Sequence, residues 1–367
     1  MTTSTPRSVR RVLPCTLLAT AVVLTPAALL TGCAGTGSSS DGQWVNGTFV
    51  ESKYRDPIQR SALRERAVDM LLDATTAGDP QTRANALEAL TSAPARLEAV
   101  IGTGLRDSNE GVRSVAAQIS GRERLRASLA DLESMRSDPS IYAKLSAIYG
   151  LASIGSAVDQ TPMASALLDH PSTRVRAHAA FLLGELGNAS ARGLLTDALT
   201  TDMPRAGAAE LKLLQLQIAE ALIKLGDDEQ VQAVRAALYP SRPEELEATA
   251  LAVQIIGEVR DRASIDELIY ISAYTDEGGR AMPAEVRLAA ALSLAKLGER
   301  RGDFIADEYR FDASPAIRAQ AAFVYGETGR LENLPKVENM LDDPDPRVRV
   351  AAAASAIRTL DIVQSRS

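Results

Sequence analysis

The sequence predicts an all-α protein, a right-handed α-solenoid of about nine helical hairpins. Three observations predict it. The stretch Arg176 to Gly187 returns as Arg318 to Gly329, and weaker copies run through most of the chain. Each copy carries helix start and stop signals at fixed places. The interior implied is built from small side chains: 46% of the 367 residues are apolar, mostly Ala and Leu, and only 4% are aromatic. That apolar fraction is ample for a packed core and excludes wholesale disorder.

One cation marks the units. Arg83, Arg113, Lys144, Arg176, Arg287, Arg318 and Arg349 stand at the same place in successive copies, and Gln215 and Thr249 occupy it in the two most divergent ones. The spacings are 30, 31, 32, 39, 34, 38, 31 and 31 residues, giving nine units. Asp345-Pro346 and Ser314-Pro315 place an acceptor at the N-cap and Pro at the first helical position. An Ala-rich helix of about 12 residues follows. Gly187, Gly226, Gly298 and Gly329 stop it at C′. A second helix completes the hairpin, as in Val231 to Leu238 or Ile265 to Ala273. A lone hairpin cannot bury its apolar face, whereas stacked copies share a continuous core. At ~8–10 Å between packed helices, nine units would form a curved rod roughly 70–90 Å long. Residues 58–74 read as a leading helix over the first unit. The last unit stops after one helix near Leu360, leaving a capped face or an exposed edge.

The chain divides into three parts: residues 1–32, residues 33–56 and the solenoid at 57–367. In the first, Arg7, Arg10 and Arg11 precede an uncharged apolar stretch from Val12 to Leu30. It ends Leu30-Thr31-Gly32-Cys33, which resembles a bacterial lipobox. The resemblance implies cleavage after Gly32, acylation of Cys33, and an exported lipoprotein anchored in the cell envelope, facing the periplasm or the outer surface. Acyl chains contribute roughly 0.8 kcal/mol per buried CH₂, enough for stable anchoring. The alternative is an uncleaved span. Residues 34–56, Gly/Ser-rich and then mixed, read as a flexible tether holding the only Trp, Trp44.

The repeat itself resembles HEAT repeats of the phycobilisome-lyase-like subtype over roughly residues 75–360. The matching features are Asp-Pro followed by Val-Arg, the Ala-Ala pair, and the Gly-Glu-x-Gly close, as in Asp342 to Ala354 and Arg176 to Gly187. These residues build the repeat, so the resemblance speaks for fold more than for function.

Composition and motifs narrow the function. Without the first 32 residues, 37 cations stand against 47 acids, or −10. No basic run lies outside the N-terminus, which argues against nucleic acid. No small-molecule substrate is inferred. Two Cys and two His exclude zinc-finger and disulfide frameworks. His170 precedes Pro171 and His178 precedes Ala179, so none of the His-Glu iron motifs of deoxyhypusine hydroxylase, an enzyme that resembles a HEAT-repeat protein, carries over. A bilin-lyase reading would need a tetrapyrrole pocket and cytoplasmic access. No plausible His stands beside a Ser for nucleophile–base catalysis, and no convincing strand precedes a Gly-rich loop. We therefore assign no catalytic, cofactor or metal residue. The expectation is a non-catalytic scaffold binding unidentified envelope proteins. A lyase-type enzyme or accessory, or a spacer associating end to end, is the alternative.

Two sets of residues remain. The recurring cation sits at the unfavourable end of its helix dipole and needs a partner. The Asp-rich turns at Asp107, Asp138, Asp169, Asp312 and Asp342 supply one, predicting an Asp–Arg ladder; an anion-binding row is the alternative. Tyr239, Tyr270, Tyr274 and Tyr309 cluster in the second helices of units five to seven, where two connections lengthen, Thr201 to Glu210 and Thr275 to Pro283. Second helices are expected on the concave side. Exposed Tyr there would anchor a partner, with Asp266, Glu267, Asp307 and Glu308 favouring a basic one. The alternative is that these tyrosines pack between units.

Overall fold

The computed structural model describes residues 42–45, 48–51, 53–275 and 279–366. The segments read as signal sequence and lipobox, with Cys33, lie outside them. The described chain opens with a two-stranded antiparallel hairpin, β1 (Gly42–Val45) and β2 (Thr48–Glu51), with Trp44 opposite Phe49. This corrects the expectation of no strand. Asn46-Gly47 between the strands is a strong hairpin signal inside the segment read as tether.

Helices follow in chain order. They are α1 (Pro57–Ala74), α2 (Pro80–Ala89), α3 (Pro94–Leu105), α4 (Glu110–Arg122), α5 (Leu129–Met135) and α6 (Ile141–Ile154). Next come α7 (Thr161–Leu168), α8 (Thr173–Leu186), α9 (Arg192–Thr200), α10 (Ala208–Lys224), α11 (Val231–Ala236) and α12 (Leu246–Val259). The last are α13 (Ile265–Ala273), α14 (Ala284–Leu297), α15 (Asp303–Tyr309), α16 (Pro315–Thr328), α17 (Leu334–Met340) and α18 (Pro346–Gln364). The even-numbered helices are the first helices of the nine units. Asp79 and Asp345 cap α2 and α18 as their sequences require, each with Pro at the first turn. Gly187 and Gly329 end α8 and α16 in the left-handed conformation.

Consecutive first helices touch along their length, through positions without side-chain bulk. A Cβ on Gly184 would lie 2.8 Å from the Cα of Ala221 in the next first helix, and one on Gly326 would lie 2.8 Å from the Cα of Ser355. Gly121 against Gly150 and Gly257 against Ser293 repeat the arrangement at the same register. Second helices scarcely touch one another. In a curved array the crowded layer is the inner one. The first helices therefore line the concave side and the second helices the convex side, which reverses the expected placement.

The chain forms the expected solenoid, but not an open rod. α18 packs against both α1 and α2, so the two ends meet and the nine units close into a ring. α1 takes the place of the missing second helix of the ninth unit. Tyr54, Leu63, Ala67, Val68 and Leu71 share one buried cluster with Ile357, Leu360 and the core of α16. Charges tie the seam. Arg64 donates to Asp361 Oδ1 at 2.6 Å and to the carbonyl of Ser92 at 3.1 Å. Arg66 donates to Asp342 at 2.7 Å and Lys53 to Glu338 at 2.9 Å. Nine axes at ~8–10 Å spacing lie on a circle about 25 Å across. The face that end-to-end association would use is covered by α1.

The small-residue contacts carry a direct test. Gly184→Ala should destabilise the fold by ~1–3 kcal/mol, because backbone must move to admit the methyl. Gly193→Ala, in open space inside α9, should be neutral or stabilising by up to ~1 kcal/mol. Denaturant melts of the two variants check this.

Candidate functional site

The recurring cation forms rungs between adjacent units. Arg83 grips Asp107 through Nε and Nη2, both at 2.7 Å, while Nη1 donates to the carbonyl of Ala77 at 2.8 Å. Arg113 repeats this with Asp138 at 2.8 and 2.9 Å, and Arg318 with Asp343 at 2.8 Å. The bidentate pairing holds the Asp107 and Asp138 carboxyls below the ordinary carboxylate range. The partner of Arg318 is Asp343, not Asp342, which belongs to Arg66 at the seam. Arg287 departs further, donating to Glu308 at 2.7 Å and to the Tyr309 hydroxyl at 2.6 Å. Arg349 donates to the carbonyls of Asp343 and Pro344.

The ladder is interrupted in the middle of the chain. Asp138 follows Arg113 by 25 residues and Asp343 follows Arg318 by 25; the same step from Arg176 reaches Thr201. Arg176 Nε turns to the carbonyl of His170 at 2.7 Å, and its buried Nη1 has no hydrogen-bond partner. Two cavities lie where the arginine itself is replaced. One of about 380 Å³ is lined by Gln215, Leu214, Thr201 and Met203. Another of about 330 Å³ is lined by Lys144, Arg136, Glu133 and Asp159. A guanidinium fork fills this space elsewhere, and a shorter or thinner side chain leaves it hollow.

A second charge pattern was missed by sequence reasoning. One residue after the close-approach position, the first helices carry alternating charges that pair around the inner face. Glu185 accepts from Lys224 at 2.6 Å, and Glu327 accepts from Nε and Nη2 of Arg358 at 2.8 and 2.7 Å. Glu258 pairs with Lys296 in the same way, and Arg122, at this register in α4, reaches Glu88, which stands four residues before that register in α2, at 2.8 Å. Burial pushes the Glu88 and Glu258 carboxyls upward, against the pull of Arg122 and Lys296. The signal lay in the alternation of Glu and Lys or Arg at one register of the repeat.

The expectation that no His lies beside a Ser is corrected for His178, which meets a serine of the neighbouring unit. Its Nε2 lies 3.1 Å from Ser146 Oγ, which in turn is 2.9 Å from Ser114 Oγ. Neighbouring units thus meet through a row of hydroxyls that sequence order conceals. The contact sits inside the packed interface between first helices. Nε2 also lies 3.3 Å from the Tyr142 carbonyl, so one ring nitrogen is shared between a hydroxyl and a backbone acceptor. Ser146 is also wholly buried. Among the described residues, no group of three His, Cys, Asp or Glu is placed to hold a metal ion. No described helix is long and apolar enough to cross a membrane.

The tyrosines divide. Tyr239, after α11, and Tyr270 and Tyr274, at α13, stand exposed, and the latter two stack with ring centroids 4.3 Å apart. Tyr309 leaves the group: half-buried, its hydroxyl accepts from Arg287, whose guanidinium lies over its ring. The acids also differ from expectation. Glu308 is engaged by Arg287, and Asp307 by Tyr325 and Lys336, so neither is free for a basic partner. Sequence reasoning missed Ile269, Phe304 and Phe311, the last 81% exposed. Seven large apolar side chains are exposed among the described residues, and six of them belong to units five to seven. All six project from the convex layer.

The family model for HEAT repeats matches residues 130–213 and 161–251, and that for the HEAT repeat matches residues 334–356. Among solved structures, an engineered protein is 16% identical over 83% of this chain and 95% of its own, with a TM-score of 0.33. A second engineered protein is 17% identical over 55% of this chain and 95% of its own, at 0.34. Human deoxyhypusine hydroxylase in complex with glycerol is 17% identical over 84% of this chain and 100% of its own, at 0.33. No curated protein matches.

Burial pulls the His178 imidazole from 6.5 down to about 4. The unfolded chain therefore binds a proton that the folded chain refuses in this window. Stability is full above pH 6.5 and falls as pH drops toward 4, on the order of 3 kcal/mol in total. His178→Gln, the residue type of Gln320 at the matching place, should remove this component from a plot of unfolding free energy against pH.

Proposed function

Because this chain is a HEAT-repeat protein, we propose that it is a non-catalytic interaction scaffold, tethered by an acylated Cys33 to a membrane of the bacterial envelope. Its partners are envelope proteins. The observation that carries this reading is the gathering of exposed Tyr239, Ile269, Tyr270, Tyr274, Phe304 and Phe311 on three successive units. Soluble proteins rarely leave so much apolar surface together unless something covers it. Tyr and Phe are rigid side chains that lose little entropy on docking.

Position supports the same reading. The N-terminal segment joins the ring at the seam between the ninth and first units, and units five to seven lie across the ring from it. A ring held by Cys33 would turn this face away from its own anchor, toward other proteins. The acidic balance of the chain disfavours nucleic acid and anionic lipid as occupants.

The test separates anchor from surface. Cys33→Ala should release the protein from the membrane fraction or leave it as precursor; normal processing and fractionation would sink the anchoring. Changing Tyr239, Tyr270 and Tyr274 to Ala should lose partners in crosslinking from the envelope with the melt unchanged. Retention of every partner would sink the surface.

A further inference from the structure

We propose that the protein covering the convex face of α13 and α15 is a second copy of this chain. This rests on the reading of that face as a docking surface and names its occupant. The first argument is area. Side chains of this type bury 150–250 Å² each, so at the observed exposures the six together present about 700 Å². That exceeds the largest apolar patch of a typical monomer and approaches the ~800 Å² per partner of a stable pair.

The second argument is charge. The chain carries −7 overall, so two copies repel over most of their surface. Among the described residues of this stretch the exposed charges balance: Arg260, Arg262, Arg280 and Arg301 against Asp266, Glu299, Asp307 and Glu308, the last two already paired with Lys336 and Arg287. Copies can meet here without net repulsion. A twofold axis would bring the patch against itself, the commonest arrangement of homo-oligomers.

The third argument is arrangement. Tyr270 on α13 stacks with Tyr274 at that helix's C-terminal end, and on the next unit Phe304 on α15 and Phe311, two residues past its end, stand exposed. The aromatic surface is thus offered by successive units of one side of the chain.

Photo-crosslinking of the full-length chain in its own cells tests this. A benzophenone side chain is placed at position 270 or 311, with position 196, exposed on α9, as reference. The expected result is an adduct of twice the chain mass that contains only this chain by mass spectrometry, absent from position 196. With the benzophenone at 270, a second substitution, Phe311→Asp, should reduce the adduct at least tenfold while the soluble yield and melt stay unchanged. Adducts to a different protein would overturn the self-pairing and leave the docking surface standing. No adduct at either position would overturn both.

Discussion

The close approach of neighbouring first helices is the constraint on which the structure depends. At Gly121, Gly184, Gly257 and Gly326 the next helix sits where a β-carbon would be. This fixes the inner spacing near the lower limit for packed helices, and curvature follows because the second helices cannot approach as closely. Over nine units the curvature returns the chain to its start, where α1 fills the one vacancy the repeat pattern leaves. Closure removes the terminal faces that an open solenoid must cap with polar surface. The largest buried cluster runs through the seam, so the junction of the chain ends belongs to the core.

Charge then works at two radii. The Arg–Asp rungs tie the start of one first helix to the turn before the next, and the carboxylates also accept from backbone amides, as Asp107 does from Asn109 and Asp138 from Ser140. The inner belt joins the far ends of the same helices through Glu–Lys and Glu–Arg pairs. Half-buried pairs of this kind contribute little net stability, but breaking one strands a charge, so they fix register between units. The interruption at units three to six coincides with the longer α10 and with both cavities. The regularity is thus lowest next to the face that carries the exposed aromatics.

Much of this was legible in the sequence. The repeat, its caps and the Arg–Asp pairing follow from spacing and from the dipole at a helix start. What spacing cannot convey is the angle between units, because small changes in contact residues sum over the whole array. One clue to closure was present. Asp56-Pro57 with Arg60 copies the start signal of Asp79-Pro80 with Arg83 and Asp345-Pro346 with Arg349, and Arg60 likewise donates to the carbonyls of Tyr54 and Arg55. α1 therefore begins like a member of the repeat. The side-chain groupings were harder. Tyr309 was placed with the exposed tyrosines by residue type, yet its neighbour Arg287 claims it. Phe304 lies on a helix too short to show its solvent face by periodicity, and Phe311 lies in the turn after it. Ser146 and His178 are 32 residues apart and meet only because the repeat length brings equal registers side by side.

Ring closure is tested most directly by a distance between the chain ends. Spin labels at Glu65→Cys on α1 and Gln364→Cys on α18, in a chain without its two native cysteines, flank the Arg64–Asp361 contact. Pulsed electron resonance should give a single separation below about 25 Å, since each label is within a turn of that contact. A separation near the ~70 Å length of an open nine-unit rod would contradict the closed ring.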